Sequence, residues 1–347
     1  MAEKLALEGG PKAVTVELED RWQVASDREK QYVEAVLDDM SRAYSQLEIF
    51  EEEYRRFAGT KYALVMCNGT ATLHSAIFAA GAHQGTEVIV PSVTWHASIT
   101  PILHCGATPV FCDADPETYC ADPEDVARRI TDRTVAIVVT HVYGNPAQMD
   151  AFQELVRGTK IRLIEDASHA HGATYDEVAV GALGDVGCFS LQASKAVTGI
   201  EAGVATTNDD ELYDAMVALG HYGRSERLYR TERFRPLRNM GLGIKYRANP
   251  LAVAMARAQL ERLPELNAKR AAWVSKLDSL MEGIPGISVQ KTYPKARRGG
   301  MLLYTGRIDP DVIGAPVDMV LKALVAEGVR TTPGITPFGY GVMHLEP

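Results

Sequence analysis

Between residues 60 and 207 the chain alternates short apolar runs with longer segments of helical pattern, and this alternation constrains the fold more than any other feature. The apolar runs are ALVM (63–66), EVIV (87–90), TPVFC (108–112), VAIVVTH (135–141), RLIE (162–165), VGCFS (186–190) and GVATT (203–207). Their length and their Val and Ile content read as buried strands. Helix-like segments separate several of them: ATLHSAIFAAG (71–81), DPEDVARRI (122–130) and DAFQELVRG (150–158). Such alternation predicts an α/β fold, a mainly parallel sheet with helices on both faces. The last two runs are close in sequence, which predicts at least one antiparallel pair.

Residues 249–282 read as helix, with Pro264 marking a break or kink. A smaller α/β portion follows, with MLLYTGRID as a strand candidate and APVDMVLKALVAEG as a helix ending at Gly328. KARRGG (295–300) reads as a solvated basic turn. The expected division is a large domain with its N-terminal segment over 1–248, then connecting helices and a small domain over 249–347. A chain of 347 residues is long enough for both.

A net charge of −9 argues against a broad surface for nucleic acid or anionic membrane. No apolar run approaches the roughly 20 residues of a membrane span, and MAEKLALEGGPKAV lacks the apolar core of a secretory signal. The five cysteines are odd in number and form no C-x-x-C pair, which suggests neither a disulfide framework nor a zinc site. They read as small apolar groups in a reducing cytoplasm. The NGT sequon at 68–70 is then accidental.

In an open parallel sheet, ligands sit beyond the carboxyl ends of the strands. After ALVMC comes NGTATLHSA, a glycine turn into a helix. The N–H groups of Gly69, Thr70 and Ala71, with the Thr70 hydroxyl, would face an anion there. Asn-Gly-Thr is also an ordinary helix start. After EVIV comes PSVTWHAS, where Trp95 either packs in the core or stacks on a flat ligand. After RLIE comes DASHAHGA, where Asp166 caps the next segment or holds a cationic ring nitrogen. His169 and His171 are two apart and do not face one another on a helix, so they are no metal pair.

Then FSLQASK supplies Ser190 at a strand end and Lys195 five residues later. No acidic residue lies within five positions of Lys195. It is either a surface-loop lysine or a nucleophilic amine whose pKa is lowered by its surroundings. An anion cradle, a flat aromatic, a carboxylate, a hydroxyl and a lysine together fit one ligand, pyridoxal 5′-phosphate (PLP). Asp166 would keep the pyridine nitrogen protonated, a charge-assisted bond worth about 1.5–3 kcal/mol. Stacking on Trp95 would add about 0.5–1.5 kcal/mol.

The ordered motifs NGTATLHSA, VIVPSVTWHAS, GATPVFCDADPETYCADPEDV, VVTHVYGNPAQMD, IEDASHAHGA, GDVGCFSLQASKAVT and QLERL resemble the DegT/StrS group of PLP-dependent sugar aminotransferases. The resemblance runs to about residue 345. It implies an aspartate-aminotransferase-like fold (PLP fold type I), a mixed seven-stranded sheet and a homodimer with shared active sites. By matched position it implies that Lys195 is the Schiff-base lysine, that Asp166 meets the pyridine nitrogen and that Trp95 stacks on the ring. His169 takes the place near the ring's 3-oxygen. Gly69, Thr70, Ala71 and Ser190 hold the phosphate. In the family an Asn in a G-x-N-Y-R stretch reaches the partner subunit's phosphate. Here the stretch is GIKYR, so Lys245 stands in that place as a point charge.

Two other departures are visible. The usual Gly-rich run after the lysine is TGIEAG, bulkier at Ile200 and Ala202. Typical members also continue for a helical stretch beyond YGVMHLEP, which implies a shortened C-terminus. LALEGGPKAV is similar to members acting on aminocyclitol or related antibiotic precursors. The implied reaction moves an amino group from Glu or Gln to a ketone on a sugar or cyclitol. Relatives that dehydrate sugars carry histidine in place of the lysine, which Lys195 argues against. Other amine chemistry on a heterocyclic precursor, or a non-catalytic PLP- or sugar-binding regulator, are the remaining alternatives.

Overall fold

The computed structural model describes residues 4–16 and 25–330. The Val/Ile-rich runs form the strands expected, each within one residue at either end. They are β1 (Tyr62–Met66), β2 (Glu87–Pro91), β3 (Thr108–Cys112), β4 (Thr134–Thr140) and β5 (Arg162–Asp166). After the short β6 (Thr174–Tyr175) and β7 (Val178–Ala179) come β8 (Val186–Ser190) and β9 (Gly203–Thr207). One seven-stranded sheet has the order β1-β9-β8-β5-β4-β2-β3. Its pairs are parallel from β3 through β2, β4 and β5 to β8, and β9 runs antiparallel to both β8 and β1.

The register places the site. Gly203 faces Met66 on one side and Ser190 on the other. Asp166 is paired with Thr140 and with Cys188. The residues that leave β1, β4, β5 and β8 therefore emerge side by side at one edge of the sheet.

Helices α1 (Asp27–Asp38) and α2 (Ser45–Ala58) precede the sheet. α3 (Gly69–Ala79) follows β1 and is buried around most of its circumference, as its apolar sequence requires. The short α4 (Thr100–His104), α5 (Pro123–Arg129) and α6 (Met149–Val156) connect strands, and α7 (Asp210–Gly220) packs on α3. α8 (Ser225–Leu228) leads towards α9 (Pro250–Met281), which packs on α1 and α2. α9 runs unbroken through Pro264, so of the expected break or kink the break does not occur. A proline there removes one helical hydrogen bond and costs ~3 kcal/mol. Buried Leu260 and Leu263 anchor the turn that leads into Pro264.

Beyond α9 the strand candidate shrinks to β12 (Gly306–Ile308), paired with β10 (Ile287–Val289). α10 (Pro310–Ile313) and α11 (Val317–Ala326) follow, and Gly328 ends the element with φ +91°. The Glu327 carboxylate accepts the N–H groups of Ala6 (2.7 Å) and Ala13 (2.9 Å), docking the N-terminal segment here. The stretch YGVMHLEP lies outside the described residues.

KARRGG is not a solvated turn. β11 (Ala296–Arg297) pairs with β6, and Gly299 and Gly300 are buried. A Cβ on Gly299 would lie 2.3 Å from the Ala173 nitrogen, and one on Gly300 2.3 Å from the His169 carbonyl oxygen. Asn267 of α9 joins this seam, accepting from Gly300 N–H (3.1 Å) and donating to the His171 carbonyl (2.8 Å). The glycines serve a backbone-to-backbone approach that no side chain would permit.

All five cysteines are free. Among the described residues no helix is long and apolar enough to cross a membrane, and no cluster of His, Cys, Asp and Glu could hold a metal ion.

Candidate active site

The first turn of α3 and the end of β8 are in contact. A Cβ on Gly69 would lie 2.6 Å from the Ser190 Cβ, so glycine is needed for the helix start to reach the hydroxyl. Asn68 caps α3, its Oδ1 accepting the Ala71 N–H at 2.8 Å. This corrects the expected cradle, because the Ala71 N–H is spent on the cap. The N–H groups of Gly69 and Thr70 have no carbonyl four residues back within the helix and remain as first-turn donors. With the helix dipole and the Ser190 hydroxyl they are the donors that an anion would meet at this end of the helix.

Ser190 is held from behind. His171 donates Nε2–H to the Ser190 carbonyl at 2.9 Å, and its Nδ1 therefore accepts from the Tyr54 hydroxyl at 3.0 Å. Burial pushes the His171 imidazole down to about 4, so it stays neutral and keeps this tautomer.

Lys195 sits in a loop closed by its own backbone. Leu191 N–H donates to Ala202 (2.8 Å), Gly199 N–H to Leu191 (3.0 Å) and Lys195 N–H to Gln192 (2.9 Å). Burial pushes the Lys195 amine down to about 8, opposed by the negative charge of Asp166. This is the behaviour of an amine at a site rather than in a solvated loop. In the same loop Ile200 is 64% exposed at φ +70°. The left-handed region is unfavourable for a β-branched residue.

Asp166, the last residue of β5, is buried. Its Oδ2 accepts from the Ser98 hydroxyl at 2.6 Å and its Oδ1 from Ser168 N–H at 3.1 Å. Trp95 follows β2 and enters the short turn that carries Ser98. It is 36% exposed, which excludes the core reading and leaves ring surface for a flat partner. His169 is buried and lies parallel to the Tyr143 ring, with centroids 6.0 Å apart and 4° between planes. Burial pushes the His169 imidazole well down, and the charge of Lys195 adds to this.

The structure thus brings Gly69, Thr70, Trp95, Asp166, His169, Ser190 and Lys195 to one sheet edge. Lys245 is exposed, on a segment whose next residue, Tyr246, accepts the Cys67 N–H at 2.6 Å. Its ammonium stands over the Tyr222 ring, 6.0 Å from the centroid. Three participants escaped the sequence reading: Ser98, the Asn68 cap and Tyr143. Tyr143 had one local signal, the Tyr-Gly pair, in which both residues take positive φ (56° and 92°).

A model of the DegT/DnrJ/EryC1/StrS aminotransferase family matches residues 23–339. GDP-perosamine synthase of Caulobacter vibrioides is 35% identical over 301 residues, 86% of this chain and 77% of that protein. L-glutamine:scyllo-inosose aminotransferase of Streptomyces griseus is 34% identical over 342 residues, 94% of this chain and 80% of that protein. The crystal structure of DesI, determined in the presence of its TDP-sugar product, matches with a TM-score of 0.81 at 30% identity, covering 99% of this chain and 85% of that one. The chain spans 64% of the length of one curated relative and 80% of another. The fold is the PLP fold type I expected from the motifs. By family model and relatives alike, the chain belongs to the DegT/DnrJ/EryC1/StrS aminotransferase family.

Proposed function

We propose that this protein is a PLP-dependent aminotransferase that moves the amino group of glutamate or glutamine to a ketone on a sugar, cyclitol or related antibiotic precursor. The observation that carries the reading is the Lys195 amine, half-buried, lowered to about 8 and under the charge of Asp166, at the edge where Gly69 meets Ser190. The named relatives act in the same sense: one is an L-glutamine:scyllo-inosose aminotransferase, another a GDP-perosamine synthase.

The residues present fit the cofactor. The Gly69 and Thr70 N–H groups with Ser190 suit a phosphate, the exposed face of Trp95 a flat ring, and the Asp166 carboxylate a cationic ring nitrogen. Bound there, PLP supplies an aldehyde for the amine and, protonated at its ring nitrogen, an electron sink. Lys195 tethers it through Nζ. As the free amine, the same Nζ would take the proton from the donor Cα and return one to the acceptor carbon. Asp166 holds the ring nitrogen's proton. Neutral His169 offers a hydrogen bond without adding charge beside Lys195.

The test is a scan of candidate ketones against enzyme preloaded with the amino form of the cofactor. Return of the aldehyde form's absorbance with a keto-sugar or inosose supports the reading. Return only with 2-keto acids would overturn the acceptor class.

The finer reading is a cytoplasmic homodimer, for which the five free cysteines and the exposed, basic Lys245 speak. Lys245 would meet the phosphate of the partner subunit's cofactor. Inactive Lys195→Ala and Lys245→Glu proteins, once mixed, should partly regain activity, since one site of the heterodimer carries neither change. A fully active Lys245→Glu protein, or no recovery despite proven subunit exchange, would refute the shared site.

A further inference from the structure

Asp166 does not end at its own hydrogen bonds. The Ser98 hydroxyl that reaches Asp166 lies 2.8 Å from the Thr94 hydroxyl, and Thr94 lies 2.8 Å from the Thr140 hydroxyl. Ser98, Thr94 and Thr140 are all buried. They come from two strand ends: Thr140 closes β4 beside Asp166, while Thr94 and Ser98 follow β2.

Each hydroxyl has one proton to give, and an ionised carboxylate can only accept. The Ser98 proton therefore points at Asp166. Ser98 must then accept from Thr94, and Thr94, its own proton spent, must accept from Thr140. Three O–H dipoles line up head to tail towards one carboxylate. Such chains polarise one another and strengthen in a buried setting. A proton arriving on Oδ2 would make that oxygen a donor and force Ser98 to turn around against the rest of the chain, and a proton on Oδ1 would leave Oδ2 a neutral, weaker acceptor at the end of the same chain.

We infer that the Thr140–Thr94–Ser98 hydroxyl chain is a positioning device for Asp166. It favours the anionic carboxylate and thereby places the shared proton on the ring nitrogen of the bound cofactor. This rests on the reading that Asp166 faces that nitrogen. The pair holds one proton, either as carboxylate with protonated ring or as carboxylic acid with neutral ring. The chain stabilises the first arrangement. Its loss moves the proton towards Asp166.

The experiment uses the holoenzyme reconstituted with PLP isotopically labelled at the ring nitrogen, read by nitrogen NMR at neutral pH. Wild type should show the protonated chemical shift. Ser98→Ala should move it towards the neutral value, by about tenfold or more in the balance between the two arrangements. Thr140→Val, of similar volume and at the end of the chain away from Asp166, should move it the same way by less, and it carries the test alone if Ser98→Ala does not fold. Asp166→Asn separates the two claims. If Asp166→Asn changes the shift while Ser98→Ala and Thr140→Val leave it at the wild-type value, the chain is mere packing and the inference fails. If Asp166→Asn itself leaves the shift unchanged, the reading of Asp166 fails, and the inference with it.

Discussion

Glu165 and Asp166 are consecutive in β5, so their side chains leave opposite faces of the sheet. Both are buried, at 0% and 4% exposure. Glu165 is filled by the protein. It accepts from His141 Nε2–H (3.0 Å) and from the N–H groups of Gly181 (2.9 Å), Leu183 (2.9 Å) and Gly184 (2.6 Å). His141 in turn accepts the Ala147 N–H at Nδ1 (3.1 Å), which fixes its proton on Nε2. Asp166 accepts only from Ser98 and Ser168 among the described residues. A carboxylate offers about four acceptor positions. Burial is the same on both faces. What separates a structural carboxylate from a candidate working one is how much of its capacity the fold leaves open.

That contrast can be broken most severely at the amine opposite Asp166. Lys195→Ala should lower turnover by at least about 10²–10⁴-fold, the contribution of a positioned proton carrier, with little change in the thermal unfolding of the cofactor-free protein. Steady-state rates and a melting curve decide it.

The two carboxylates themselves come next. Glu165→Gln turns an amide N–H₂ towards donors and should cost roughly 1–3 kcal/mol of stability for each group left unsatisfied. Asp166→Asn should leave stability nearly unchanged and lower turnover about 10- to 100-fold, since the amide cannot hold the ring nitrogen's proton. Denaturant melts of the cofactor-free proteins, paired with rates, would refute the contrast if the two variants exchanged phenotypes.

Two buried glycines repeat the comparison on a smaller scale. A Cβ on Gly69 meets the Ser190 side chain, whereas one on Gly299 meets backbone of Ala173. Gly69→Ala should therefore weaken cofactor binding, by about tenfold, more than it weakens the fold. Gly299→Ala should cost about 1–3 kcal/mol of stability through overpacking. Cofactor titration and melting distinguish them.

The smallest effect is one of pH. The neutral amine is the nucleophile, and burial places Lys195 at about 8. Loading of cofactor onto the cofactor-free protein should quicken with rising pH and level off above about 8. A rate still climbing steeply towards pH ~10.4, the ordinary lysine value, would show that burial does not perturb this amine.

Much of this arrangement is legible in the sequence where it depends on local pattern. Strand runs put Asp166 and Ser190 at strand ends and Lys195 just past one, where the structure has them, and a parallel sheet carries ligands at that edge. What escapes the sequence depends on distant partners. Ser98 meets Asp166 across 68 residues, with no periodicity to announce it. Gly299 and Gly300 are needed by backbone that no side-chain pattern reveals, so the basic residues before them suggest solvent instead. Pro264 reads as a break because the tertiary packing that holds α9 together is not a property of α9. The Ala71 N–H is lost to the Asn68 cap, a choice between two local acceptors, side chain and ligand, that only geometry makes.

The central claim is that Lys195 is the amine that holds the cofactor. Borohydride reduction of the loaded enzyme, followed by peptide mass analysis, tests it most directly. The account predicts the pyridoxyl mass on Lys195, within FSLQASK, and no label in Lys195→Ala. The mass on another lysine, or undiminished labelling of Lys195→Ala, would contradict it.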